Sequence, residues 1–199
     1  MPKLRESVQG IEFLDTYPTN TEGPFIIGSS ICHGLARTLK CQKYVSISGG
    51  TIIKKGKKNM EGILNFVKQK GFKKIIIWMG SNDLYGYGCH IKNSKEVVFK
   101  LEKIANSLKD SEIKILGFLP RFKKQEYKSN STRQALANTY KINMGLQKVL
   151  KEKFLNPYFL CKNIPLKELH GYFQDGVHPD CRFYKKLAGF FGSDLAFLQ

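Results

Sequence analysis

The chain has 199 residues, 42% of them hydrophobic, and its 33 Lys and Arg against 16 Asp and Glu leave a formal net charge of +17. That length suits one domain (1–199) with a sizeable core, and the hydrophobic share is ordinary for a globular protein. No apolar run approaches the roughly 18 residues of a spanning helix. The opening "MPKLRESVQGIEFL" lacks the apolar stretch of a secretory signal, so the expectation is an intracellular protein, cytoplasmic or nuclear.

Apolar runs and amphipathic stretches then alternate. "PFIIG" (24–28) reads as a buried strand, and Ile31, Leu35 and Leu39 recur every four residues, one face of a helix. "KYVSISGG" (43–50) reads as a second strand, followed by a helical stripe of Met60, Ile63, Leu64 and Val67. "KKIIIWMG" (73–80) is the most apolar strand, with the continuous run a central parallel strand needs. Val97, Leu101, Ile104 and Leu108 mark the next helix, and "IKILGFLP" (113–120) a fourth strand. Ala135, Thr139, Ile142, Leu146 and Val149 describe a long helix, "NPYFLC" (156–161) a fifth strand, and Phe183, Leu187, Phe190 and Phe191 a closing helix. Segments 81–95 and 120–132 read as loops, and Gly86 and Gly88 predict mobility in the first. A repeated β-α order argues for a parallel sheet covered on both faces.

The basic residues cluster as "KKGKK" (54–58), "KQKGFKK" (68–74), "RFKKQEYK" (121–128) and "KVLKEKF" (148–154). Such a field attracts anionic partners, nucleic acid or an anionic membrane surface. The same clusters also suit a plain solvated surface. The five cysteines, Cys32, Cys41, Cys89, Cys161 and Cys181, form no C-x-x-C pair and read as free thiols. The dipeptides Cys32-His33 and Cys89-His90 make no zinc spacing, so neither a metal nor an organic cofactor is expected.

In parallel sheets reactive groups collect at the carboxyl ends of the strands. Four features fall there: Gly28-Ser29-Ser30, Ser48-Gly49-Gly50, Gly80-Ser81-Asn82-Asp83, and "DGVHPD" (175–180) before the last helix. A strand-to-helix Gly-Ser-Ser can be a helix cap, a phosphate cradle or the seat of a nucleophile. No G-x-x-x-x-G-K-[ST] sequence supports the cradle. Serine needs a base, usually a histidine held by a carboxylate. Of His33, His90, His170 and His178, only His178 has an acid three residues earlier in a glycine turn, Asp175. That turn also reads as a helix start capped by Asp175 or Asp180. The Ser30 N–H, the Gly49 N–H and the Asn82 side-chain amide together would make an oxyanion hole, each donor worth roughly 3–4 kcal/mol in a transition state.

Taken together, "IIGSSICHG", "SISGGT", "WMGSNDL" and "DGVHPD" resemble the four blocks of the SGNH (GDSL-type) hydrolase superfamily, in the right order, over residues 24 to about 190. The resemblance implies a three-layer α/β/α sandwich around a flavodoxin-like sheet of five parallel strands. It implies a serine esterase acting on lipid or acetyl esters, with Ser30 as nucleophile, Asp175 and His178 completing a triad, and Ser30, Gly49 and Asn82 as oxyanion donors. The family's first block usually reads Gly-Asp-Ser, and here Ser29 replaces the Asp. A weaker resemblance, carried by "ILGFLPRF", Asn143 and D-G-x-H, is to SGNH domains of some animal non-LTR retrotransposons. The alternative from another class is a binding module of the same fold that holds nucleic acid or anionic membrane through its lysines.

Overall fold

The computed structural model describes residues 24–41, 43–54, 59–85, 91–122, 129–173 and 175–195. Five parallel strands form one sheet in the order β2-β1-β3-β4-β5: β1 (Pro24–Ser29), β2 (Tyr44–Ile47), β3 (Lys74–Trp78), β4 (Glu112–Leu116) and β5 (Phe154–Leu155). The first three strands in this order carry three of the four sequence features at their carboxyl ends. β1 lies between β2 and β3, in register Gly28 with Ser46 on one side and with Trp78 on the other. Three of the four sequence features therefore open off adjacent strand ends.

Strand alternation divides the core in two. Phe25, Ile27, Ile75, Ile77, Ile113 and Ile115 face one layer, with α2 (Glu61–Lys70), α4 (Ser94–Ser107) and the second half of α5 (Ser129–Leu150). Ile26, Ile76, Trp78 and Leu116 face the other, with α1 (Ile31–Thr38) and α8 (Cys181–Phe190). This is the parallel sheet covered on both faces that the repeated strand-helix pattern predicts, and the α/β/α sandwich that the resemblance implies. A one-turn helix, α3 (Ser81–Leu84), follows β3 within the segment read as a loop. A 3-10 turn (Lys151–Lys153) and three short helices, α6 (Tyr158–Lys162), α7 (Leu166–Gly171) and α9 (Gly192–Leu195), complete the described elements. Among the described residues no helix is long and apolar enough to cross a membrane.

The fifth strand is displaced from its expected place. Residues 156–161 are not a strand. The pairing residues are Phe154 and Leu155, beside Ile115 and Leu116, and Tyr158–Lys162 is a helix. The reason is local: the Asn156 side-chain oxygen accepts the Tyr158 N–H at 3.1 Å, and Pro157 follows as a residue suited to a helix start. Strands β2 and β4 also stop earlier than expected, at Ile47 and Leu116. Beyond β2 the Gly50 N–H turns back to the Ile47 carbonyl at 2.9 Å, with Gly49 at φ +70°. Beyond β4 the buried Asn143 side chain takes over from the ladder, accepting the Phe118 N–H at 2.8 Å and donating to its carbonyl at 2.9 Å. Gly86, Gly88, Cys89, His90, residues 55–58 of the first basic cluster and 123–128 of the third lie outside the described residues.

Two glycines set how closely the layers meet. A Cβ on Gly28 would stand 2.3 Å from the Trp78 carbonyl oxygen and 2.7 Å from the Cys32 Cβ. A Cβ on Gly34 would enter the Tyr184 ring, at 2.1 Å, and the Tyr184 hydroxyl donates to the Ile31 carbonyl at 2.8 Å. Tyr184 on α8 thus packs directly against α1. Gly28→Ala forces backbone apart from backbone, so it is expected to cost about 3 kcal/mol of stability, read from the urea unfolding midpoint.

Candidate active site

Ser30 is the hinge between β1 and α1. It occupies the N-cap position with φ −48° and ψ −30°, yet its side chain makes no capping bond. Its Oγ lies instead 2.7 Å from His178 Nε2. The helix-cap reading of this serine is therefore set aside by geometry. Ser29, the residue that departs from the usual Gly-Asp-Ser, is buried at the end of β1, and its carbonyl accepts the Ser46 hydroxyl at 3.2 Å.

His178 comes from the other end of the chain. The turn before it forms because the Gly176 N–H donates to the Phe173 carbonyl at 2.8 Å and Gly176 adopts φ +77°. One Asp175 oxygen accepts the N–H groups of Val177 and His178 at 2.8 and 2.6 Å. The other meets His178 Nδ1 at 2.5 Å. A carboxylate only accepts, so Nδ1 carries the proton and Nε2 presents its lone pair to the Ser30 hydroxyl. Partial burial would raise the Asp175 carboxyl, but the hydrogen bonds from the His178 ring and from the two backbone N–H groups outweigh it and hold it below the usual carboxylate range. The Asp175 and His178 side chains are 47% and 44% exposed, so the pair is open to solvent.

Asp180 then starts α8 as an N-cap, accepting the N–H groups of Arg182 and Phe183 at 2.9 and 3.1 Å. The two acids of "DGVHPD" thus divide the work: Asp175 holds the histidine and Asp180 the helix.

The strand ends beside β1 carry Gly49 and Asn82. Asn82 donates from Nδ2 to the Gly50 carbonyl at 3.0 Å, which ties the β3 turn to the β2 turn. Its Oδ1 accepts from Arg121 at 2.9 Å, and the same guanidinium nitrogen donates to the Ser81 hydroxyl at 2.8 Å. Asp83, buried next door, accepts three backbone N–H groups of the segment after Gly50: Ile52 at 2.7 Å, Ile53 at 3.2 Å and Lys54 at 3.3 Å. Sequence reasoning gave no role to Asp83 or Arg121. Asp83 stands inside the quoted block, but its partners lie about thirty residues upstream. Arg121 read as one more basic residue of a cluster.

Among the described residues Cys181 is an exposed free thiol, and other reactive side chains have surroundings of their own. Cys32 and Cys161 are buried, and burial pushes each thiol up to about 12, which removes both as nucleophiles near neutral pH. His33 faces the Tyr44 hydroxyl at 3.1 Å, and the His170 ring packs beside Phe122. Among the described residues no three His, Cys, Asp or Glu side chains gather as a metal centre.

With this topology the chain has the fold of the SGNH (GDSL-type) hydrolases. No family model matches the chain, and no curated protein matches it. Among solved structures it is similar to a GDSL-like lipase from Bacteroides thetaiotaomicron, at 17% identity and TM-score 0.65, covering 96% of this chain and 98% of that one. It is also similar to an acetyl xylan esterase, at 13% identity and TM-score 0.57, covering 86% of this chain and 99% of that one. A third is the C-terminal catalytic domain of peptidoglycan O-acetyltransferase A from Streptococcus pneumoniae, at 15% identity and TM-score 0.54, covering 89% and 94%.

Asp83→Asn replaces one of the accepting oxygens with an amide nitrogen that meets N–H with N–H. It is expected to cost about 3 kcal/mol, read from the thermal or urea unfolding transition.

Proposed function

We propose that this protein is a serine esterase of the SGNH type, with Ser30 as nucleophile, His178 as general base and acid, and Asp175 as the group that orients the imidazole. One observation carries the reading: the unbroken hydrogen-bond path from Ser30 Oγ through both nitrogens of His178 to the Asp175 carboxylate. A serine side chain with no activating base would be inert, and a histidine without its carboxylate would be free to turn the wrong nitrogen toward it.

The chemistry follows from the atoms present. Ser30 Oγ attacks the ester carbonyl carbon while His178 Nε2 takes its proton. Negative charge collects on the carbonyl oxygen, met by the Ser30 and Gly49 N–H groups and by the second Nδ2 hydrogen of Asn82, the first being given to Gly50. His178 Nε2–H then delivers the proton to the leaving oxygen as the ester C–O bond breaks. Water attacks the acyl-Ser30, giving its proton to Nε2. The carboxylic acid leaves, and the proton returns to Ser30 Oγ. The substrate class proposed is a carboxylic ester, an acetyl or lipid acyl ester, reaching a site that lies open to solvent.

Two experiments test this. A fluorophosphonate probe is expected to label the folded protein and short-chain p-nitrophenyl esters to be turned over, with labelling absent and kcat down by at least about 10⁴-fold in Ser30→Ala. Absence of both labelling and turnover in folded wild-type protein overturns the reading. The second removes the orienting carboxylate. Asp175 is held ionised to below the usual carboxylate range, so it is expected to serve as an acceptor across the working pH range. Asp175→Asn is expected to lower kcat by about 10⁴-fold, read on the same p-nitrophenyl esters.

A further inference from the structure

We propose that Arg121 is a positioning residue for the oxyanion hole, acting through Asn82. The inference rests on the esterase reading above and adds to it the group that fixes and polarises one of its donors.

An asparagine amide can face either way, and only its neighbours decide which end is nitrogen. Here they decide it twice. Guanidinium only donates, so the atom 2.9 Å from Arg121 must be the oxygen; the Gly50 carbonyl only accepts, so the atom 3.0 Å from it must be the nitrogen. With both ends held, the amide plane has one orientation. The second Nδ2 hydrogen then points where the plane directs it, without a search at the moment of reaction. The positive charge on the oxygen side also draws electron density through the amide and strengthens its N–H as a donor to a developing oxyanion.

Arg121 is itself built in. Its guanidinium lies over the Tyr85 ring, 4.9 Å from the centroid, and the Tyr85 hydroxyl donates to the Leu119 carbonyl two residues before it at 3.2 Å. A second donation, to the Ser81 hydroxyl, steadies the turn that carries Asn82. The next residue reaches the other half of the site: the Phe122 N–H donates to the Gly176 carbonyl at 2.8 Å, inside the Asp175–His178 turn. Its ring packs against Phe173, on which that turn is founded. Residues 121 and 122 thus hold the proposed oxyanion donor with one hand and the base-bearing turn with the other.

The test is a double-mutant cycle on p-nitrophenyl acetate turnover. Arg121→Met keeps the length of the side chain and removes its donors and charge. It is expected to lower kcat by about 10–100-fold with KM within about twofold, because the interaction is realised in the transition state. Asn82→Ala is expected to lower kcat by about 10²–10³-fold. The double variant is expected to be no slower than Asn82→Ala, since Arg121 has nothing left to position. Added guanidinium at millimolar concentration is expected to restore part of kcat to Arg121→Ala and none to the Asn82→Ala variant. If Arg121→Met lacks a cooperative melt, the cycle is run with Arg121→Lys, which keeps the charge on a compact head and is expected to lose about tenfold. Unchanged kcat in the arginine variants, or losses that multiply with Asn82→Ala, overturn the proposal while wild-type turnover and labelling leave the esterase reading standing. A wild-type protein that neither labels nor turns over removes both.

Discussion

The arrangement depends on the packing of Tyr184 against α1, which brings Ser30 Oγ to His178 Nε2, residues 148 apart in the chain. A hydrogen bond of this kind contributes on the order of 1 kcal/mol, far too little to draw the two ends together. The ends are brought together by packing, and the bond reports the result. Tyr184 lying on Gly34, with its hydroxyl on the Ile31 carbonyl, seats the helix that follows His178 against the helix that follows Ser30. The glycine is what allows that approach. With any side chain at position 34 the last helix would ride outward and carry the histidine with it.

A second set of restraints works along the strand ends rather than between the helices. Asp83 gathers the N–H groups of residues 52–54, Asn82 holds the Gly50 carbonyl, and Arg121 holds Asn82. Each of these bonds joins a loop from one strand to the loop of the next, so the turns after β2, β3 and β4 form one connected rim. Loops on strand ends are ordinarily the loosest parts of an α/β fold. Here a buried carboxylate and a guanidinium replace the packing such loops lack. The replacement of the customary Asp by Ser29 falls on a buried position whose backbone is tied to Ser46, at the edge of this rim rather than in the Ser30–His178–Asp175 path.

The similarity to the GDSL-like lipase, the acetyl xylan esterase and the acetyltransferase domain, at 13–17% identity, speaks to the fold. The proposed chemistry rests on the atoms at the site. The Ser30–His178–Asp175 path itself contains no lysine or arginine, and beside it the Arg121 guanidinium is engaged with Asn82 and Ser81.

Much of the fold was legible because it is written in local patterns. Continuous apolar runs give central parallel strands, fourfold spacing gives amphipathic helices, and their alternation gives the layered sandwich. The edge strand escaped because a two-residue strand has no period to read, and because Asn156-Pro157 starts a helix where the apolar run promised a strand. The candidate residues were legible as well, since Gly-Ser-Ser, Gly-Gly and Gly-x-Asn-Asp each follow a strand and Asp-x-x-His stands just before the helix Cys181–Phe190. What the sequence by itself determined is which side chains are delivered to that edge. Only the tertiary structure decided what each one does there: that Ser30 turns to His178 instead of capping its helix, that Asp175 serves the histidine while Asp180 serves the helix, and that Asp83 and Arg121 serve the loops. The physical reason is that a polar side chain's role is set by the partner within 3 Å of it, and for these residues several of those partners come from other segments of the chain.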